Sequence, residues 1–534
     1  MTNELIYLRN ALCALLVAGT VSCSKKESIR TDLYEKGESA LGIKFSDALP
    51  VPAQGAPGSE TVYKVKGLLP FKDRIKCFMN EEAATVIAVT DSTIRLKVPE
   101  TASSGGTTIQ VDGQVFFGPS FVVKGRVSID ATFKTQVGTN GLILDVFKMA
   151  TGNWLLLGGF TDFDKKAASA PVNNIVMVSA DGEYQSSLMA GKGPNGTLSS
   201  IVPLNNGQYL VGGTFNSYNG RKGINGLTRI NSNGSLDTMQ VEVVNLTPEN
   251  PANNYDTVAA FNGGLVGAVN KVFLDNGKII AIGNFSGYST YFYERSTRDT
   301  KRSEFVSIPQ LARLNMDGTL DSSYNYNLAA HKGNEGFNGA IYDAFQQPWD
   351  GKIVIAGSFT KLNGQPVGNI VRLNTDGTID PGFTASADDA VARITYNAAT
   401  KQYIFTGSFK RYNTVNASGL VMVDRNGVIN PGFVLAPLTG GGVIHAQQLT
   451  SGLVVVTGTF KKYNDVTRSG FMILNPDGTL AAGYNNTGSF NGIVTDITET
   501  SNALGQPTIL LTGIINRFDN KEVGNIVRVV LNNN

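Results

Sequence analysis

The chain is 534 residues long, with a formal net charge of +2 and only 16% charged residues. That length holds two or more domains with sizeable cores, and the near-neutral balance excludes the basic field that binding to nucleic acid requires. The 60 glycines and recurrent Asn-Gly and Asp-Gly pairs fit an all-β protein rich in tight turns.

The first element is apolar. Ala11 to Val21, "ALCALLVAGTV", follows Arg9 and is too short to span a bilayer as a mature helix. It reads as the core of a signal peptide covering residues 1–22. Cys23 comes next and precedes the polar run "SKKES", the position at which a bacterial lipoprotein cysteine receives its lipid. The expected location is therefore the outer membrane, lipid-anchored, with the cell surface favoured over the periplasmic face. Residues 23–43 are polar and mixed in charge, as suits a tether. Cys13 leaves with the signal segment and Cys77 has no partner, so the expectation is a buried, inert thiol and no internal disulfide.

Residues 44–124 read as a small β-sandwich. Ile94, Leu96 and Val98 alternate with Arg95 and Lys97, and "GGTTIQVDG" and "GPSFVV" supply further strands. The segment resembles the TIG/IPT immunoglobulin-like family through "GAPGSETVYKVKG", Gly55 to Gly67, and "DSTIRLKVPETASSGGTTIQVDG", Asp91 to Gly113. The resemblance implies a spacer or interaction module without catalytic residues.

From residue 125 to 534 one pattern recurs. A Gly-x-Phe-like anchor appears at Gly158/Phe160, Gly213/Phe215, Gly283/Phe285, Gly357/Phe359, Gly407/Phe409, Gly458/Phe460 and Gly513/Ile515, at intervals of 50 to 74 residues. An apolar hairpin precedes each anchor, as in Leu198 to Phe215, and a return such as "VGNIVRLNTDGTIDPGF", Val367 to Phe383, follows. About four short strands per copy, repeated at this period, predict a seven-bladed β-propeller, because one small twisted sheet cannot bury both faces alone. The last copy lacks its final strand, whereas "VSIDATF", Val127 to Phe133, stands alone before the first. The two ends are expected to share a blade and so remove open strand edges.

The returns resemble the delta-60 type of propeller repeat. Together with the lipoprotein signal and the TIG-like segment, they are similar to Bacteroidetes cell-surface lipoproteins of the kind associated with starch-utilisation-like glycan uptake. That resemblance implies an accessory role in such a system.

Three large departures from the repeat, Val241 to Gly267, Ser286 to Gln310 and Asn325 to Gly339, come from neighbouring blades and are predicted to open on one face. Their aromatic and polar residues make a candidate glycan platform: Tyr288, Tyr291, Phe292, Tyr293, Arg295, Arg298, Asp299, Tyr255, Tyr326 and Phe337, with Phe261, Phe305, Arg302 and His331 nearby. Aromatic rings stack on the C–H face of a sugar while polar groups bind its hydroxyls. The same aromatics could instead pack the loops onto the ring. Protein docking uses similar residues.

Other constellations point to structure. "NMDGTLD" and "NTDGTID" lack the oxygens calcium needs and sit where hairpin turns are required. Arg229, Arg313, Arg372 and Arg528 share a position with Met177, Met422 and Ile473, an exchange that suggests an arginine stem packed between blades. Asp145, Asp343 and Asp496 fall in channel-lining strands, where hydrogen bonding is favoured over a glycosidase pair. His331 and His445 have no metal or triad spacing. The expectation is a lipid-anchored, non-enzymatic glycan-binding accessory protein without cofactor or metal. Its alternatives are a scaffold docking on an outer-membrane transporter and a glycoside hydrolase or lyase using the channel carboxylates.

Overall fold

The computed structural model describes residues 41–169 and 172–532. The signal segment, Cys23 and most of the expected tether lie outside them. Among the described residues no helix is long and apolar enough to cross a membrane.

Period-two alternation builds the N-terminal strands. Ile94, Leu96 and Val98 are buried, while Arg95 and Lys97 between them are exposed, the pattern of a sheet with one wet face. Strand Glu82–Val89 pairs through its first residues with Lys76–Met79 and through the rest with Thr93–Lys97, so it passes from one layer of a sandwich to the other. Tyr63 and Thr107 share a buried hydroxyl hydrogen bond of 2.6 Å inside the core. Burial pushes the Cys77 thiol up to about 12, which leaves it protonated and inert at neutral pH.

Seven antiparallel ladders follow. Their first and second strands are Leu142–Lys148 with Trp154–Gly159, Thr197–Pro203 with Tyr209–Thr214, Gly264–Asp275 with Lys278–Tyr291, Ala340–Gln346 with Ile353–Ser358, Val391–Asn397 with Gln402–Gly407, Val443–Gln448 with Val454–Gly458, and Asn491–Ser501 with Pro507–Phe518. Seven apolar clusters each join one blade to the next, and one of them, containing Ile143, Trp154, Leu510 and Ile526, joins blade seven back to blade one. The molecule is a closed seven-bladed propeller.

The glycine of each anchor has one cause. In every blade the first strand carries a register shift, a bulge that pushes a carbonyl against the second strand. A Cβ on Gly158, Gly213, Gly283, Gly357, Gly407, Gly458 or Gly513 would lie 2.0 to 2.2 Å from that oxygen. The residue two positions later, Phe in six blades and Ile515 in the seventh, fills the core between blades. Gly357→Ala is expected to cost about 1–3 kcal/mol as the backbone shifts to admit the methyl group. Gly442→Ala, with open space around its Cβ position, should be near neutral, and denaturant midpoints of the two variants check the difference.

The expected fourth strand is shorter than the sequence pattern implies. In blades one to six it is a single bridge, such as Leu314↔Leu320 or Leu373↔Ile379, and in blades three, four and five an Asx turn then bends the chain away. The Asp321 carboxylate accepts from Ser323 N–H, and that of Asp380 from Gly382 N–H. The Asp-Gly turns work similarly, with Asp317 and Asp376 accepting from Thr319 and Thr378 N–H.

The repeated arginine does more than pack its stem. Arg229, Arg313 and Arg372 donate through Nε to Asp237, Asp321 and Asp380, at 2.7, 2.9 and 2.6 Å. Arg229 and Arg372 also donate to backbone carbonyls of the next blade, Met316 and Arg425. Burial alone would raise the Asp380 carboxyl, but hydrogen bonds from Lys352, Gly382 N–H and Arg372 hold it down at about 2.

Blade seven is completed by both ends of the array. Val529, Val530 and Leu531 pair with Ile129, Ser128 and Val127. Arg528 donates to Asp130 at 2.5 Å across this seam, so the Arg–Asp pair of blades two, three and four is here split between the two termini. The sandwich is fastened beside the seam. Asn486 accepts from Ser104 N–H and Oγ through its carbonyl and donates through Nδ2 to Val123 and Val127 carbonyls, while Glu82 accepts from Thr467 N–H at 2.7 Å.

Candidate functional site

Blade three has the longest hairpin, ahead of blade seven with 11 and 12 residues. Its hairpin strands, Gly264–Asp275 and Lys278–Tyr291, have 12 and 14 residues, and the second continues beyond the blade to pair with Ser303–Ser307. The preceding departure folds as its own antiparallel pair, Thr238–Glu242 with Tyr255–Ala259. The two are stitched together: Val244 N–H donates to the Ser296 carbonyl at 2.8 Å, Arg298 to Asn253 Oδ1 at 2.9 Å, and Lys301 to Asp256 at 2.7 Å.

Between them opens a cleft of about 510 Å³ lined by Tyr291, Tyr293, Arg298, Asp299, Lys301 and Asp256, with Arg221 and Lys222 from the small hairpin of blade two. A second hollow of about 400 Å³, bounded by Val244 to Thr247 and Asn253, shares Asp256, Arg298 and Asp299 with the first. Tyr291 and Tyr293 stack with centroids 6.3 Å apart and planes 11° off parallel. Gly223, at φ +82°, stands beside the Tyr291 ring, where a Cβ would come within 3.8 Å of its edge. Both volumes fall in the range of small-ligand sites.

Of the residues singled out in the sequence, the cleft gathers Tyr291, Tyr293, Arg298 and Asp299. Tyr293 contributes an edge, since most of it is buried and burial pushes its hydroxyl up to about 12. Phe292 carries the Arg295 guanidinium over its ring at 5.4 Å and lines neither hollow. Tyr255 is exposed at the outer end of its strand, opposite Glu242.

Three candidates belong to the framework instead. Tyr288 is 4% exposed and donates to the Gly318 carbonyl. Phe337 is buried with its ring 4.4 Å from Phe359. Tyr326 packs against the cluster around Phe261 and Leu265. The third departure folds beside Ile308 and supplies no lining residue, so two of the three departures, with the small hairpin of blade two, make the site.

Arg221, Lys222, Asp256 and Lys301 were not singled out from sequence. For the first two a signal existed. The hairpin after the anchor reads "NGRKG" in blade two, "NGQPV" in blade four and "DNKEV" in blade seven, so blade two alone of these three carries two positive charges at the tip.

The channel has its own ring of side chains, one from the bulge of each blade: Asp145, Ser200, Lys271, Asp343, Arg393, His445 and Asp496. The inner strand of a blade is an edge with free N–H groups, and three of these residues cap such a group. Asp145 accepts from Ile201 N–H at 3.0 Å, Ser200 Oγ from Val272 N–H at 3.1 Å and Asp343 from Ile394 N–H at 2.9 Å, each on the following blade. Asp496 accepts from the Thr498 hydroxyl at 2.6 Å, and Lys271 stands 3.8 Å from Asp343. Burial pushes the Asp145 and Asp496 carboxyls above the usual range. His445 differs from the others: it is 3% exposed and neither ring nitrogen has a hydrogen-bond partner.

Comparison with protein families matches residues 204–238, 306–324, 350–383 and 451–480 to a β-propeller domain of unknown function, DUF5122. Residues 17–119 match a second domain of unknown function, DUF5008. No curated protein matches the chain. Among solved structures, an auxiliary nutrient binding protein from Bacteroides thetaiotaomicron aligns at 11% identity and TM-score 0.31, covering 93% of this chain and 99% of that one. A protein of the same description from Bacteroides ovatus aligns at 10% identity and TM-score 0.27, covering 92% and 99%. The WD40 β-propeller domain of Doa1 aligns at 14% identity and TM-score 0.39, covering 77% and 97%. Likenesses at these scores carry no functional argument, and the propeller rests on the chain's own strand pairing.

Proposed function

We propose that the protein is a lipid-anchored, non-enzymatic glycan-binding accessory of a nutrient-uptake system, with the cleft between blades two and three as its receptor. The observation carrying this reading is the cleft itself, where a partly exposed Tyr291 ring is surrounded by guanidinium, ammonium and carboxylate groups. A ring beside such groups suits a sugar, which presents an apolar C–H face and a rim of hydroxyls. The neighbouring hollow leaves room for a chain of more than one residue. Employment of Asp145 and Asp343 as caps for strand N–H groups of the next blade supports binding rather than hydrolysis.

The test is glycan-array binding by the purified full chain, repeated after alanine replacement of Tyr291, the partly exposed ring of the cleft. Binding that falls at least about fivefold, as expected for loss of a stacking platform worth ~1 kcal/mol or more, supports the reading. A folded chain that binds no polysaccharide or host glycan removes it.

A second reading, docking on an outer-membrane transporter, is favoured by one feature. The last strand of the sandwich, Gln114–Val123, exposes Val115, Phe117 and Val122, with Phe117 79% exposed. Co-purification from membranes, unchanged by added glycan and lost in Phe117→Ser, would distinguish it.

A further inference from the structure

We infer that the glycan recognised in the cleft is acidic, carrying ring carboxylates or sulfate esters. The inference rests on the glycan reading above. Four cationic side chains line the cleft, Arg221, Lys222, Arg298 and Lys301, against two carboxylates, Asp256 and Asp299. This local excess equals the formal net charge of the whole chain, +2.

Pairing within the cleft sharpens the imbalance. Lys301 and Asp256 neutralise one another at 2.7 Å, and the ammonium is further held by the carbonyls of Thr297 and Arg298 at 2.8 Å. That leaves Arg221, Lys222 and Arg298 facing Asp299 alone. Among the described residues none of these four makes an ion pair. The contrast with the blades is direct, since Arg229, Arg313, Arg372 and Arg528 are each satisfied by an aspartate.

The two cleft guanidiniums are also oriented. Arg221 donates through one terminal nitrogen to the Thr257 carbonyl, and Arg298 through one to Asn253 Oδ1. Each is thus tethered by one donor and keeps the rest of its planar fork for a ligand. Such a fork matches two oxygens of a carboxylate or sulfate. A neutral sugar would bring no charge to offset the three cations, whereas an acidic one gains affinity that salt then screens.

The test measures binding of the purified full chain to three oligosaccharide sets: polygalacturonate fragments, the same fragments methyl-esterified, and a sulfated galactan with its desulfated counterpart. The expected result is binding to one or both charged members, weakened about tenfold between 50 and 300 mM NaCl. Binding should weaken by a similar factor in Lys222→Gln and Arg298→Gln, whose side chains are exposed and whose thermal midpoints should stay unchanged. Carboxylate-only or sulfate-only binding supports the inference and names the group. Equal affinity for esterified or desulfated forms, insensitive to salt and to both variants, overturns acidity while leaving glycan binding intact. No binding to any member, or to any glycan on the array, overturns both.

Discussion

Replacing Arg528 with alanine is expected to destabilise the propeller by about 3–5 kcal/mol, the cost of leaving a buried charge without its partner. Arg528 is 1% exposed, and its guanidinium donates to Asp130 at 2.5 Å, Asp181 at 2.8 Å, the Ala180 carbonyl at 2.7 Å and Thr132 Oγ at 3.0 Å. It also lies over the Phe133 ring at 4.9 Å. All these partners belong to the N-terminal part of the propeller, while Arg528 sits on its last strand, so this side chain ties the two ends together beside the strand pairing and the apolar seam. Arg313→Ala should cost less, because Arg313 and Asp321 keep 17% and 11% exposure and solvent screens their pairing. Denaturant midpoints compare the two. The pairing of Arg528 with Asp130 can be isolated by adding Asp130→Asn to Arg528→Met, which should recover part of the loss. An Arg528→Ala protein as stable as the parent would show that the apolar seam alone closes the ring. Opening the seam should also promote aggregation through the exposed strand edges.

Acidification from pH 7.5 to 5 is expected to weaken the fold by about 2 kcal/mol through His445 alone. Burial, with the Arg393 and Lys271 charges, holds this imidazole down at about 3. A base depressed in the folded state is neutral in both states above its unfolded pKa, near 6.5, and its contribution is intact there. As pH falls from about 6.5 toward 3 the unfolded chain takes up a proton that the folded chain refuses, so stability declines across that window. The measurement is the shift in denaturation free energy between pH 7.5 and 5 for the parent and for His445→Leu. The exposed His331 is common to both and cancels. The parent should lose about 2 kcal/mol more than the variant, and parallel pH profiles would refute the assignment. Leucine should also be tolerated at pH 7.5, because neither ring nitrogen has a partner to lose.

Much of the fold was legible in the chain. The anchor glycines mark where bulged inner strands press on their neighbours, and the stranded "VSIDATF" segment found its place on the C-terminal strand. The arginine was only half read. Its exchange with Met177, Met422 and Ile473 pointed to packing, yet the residue eight positions later changes with it. Asp237, Asp321 and Asp380 follow the arginines, while Gln185, Asn430 and Ala481 follow the apolar residues. That covariation between copies was a legible sign of an ion pair. The length of the fourth strand in blades three, four and five was not, because an Asx turn and a strand residue have the same apolar-polar pattern until side-chain hydrogen bonds choose between them.

The candidate site divides the same way. Sequence by itself determined the ring, its closure and which segments break the repeat, because these depend on periodicity and on local turn chemistry. Only the tertiary structure decided which aromatics face a cleft and which, like Tyr288 and Phe337, complete the core. It alone brought Arg298 to Asn253 and Lys301 to Asp256, pairs separated by 45 residues, and set Arg221 and Lys222 beside them. Contacts between irregular loops on different blades follow from the distances the ring imposes, and no local pattern in the chain encodes those distances.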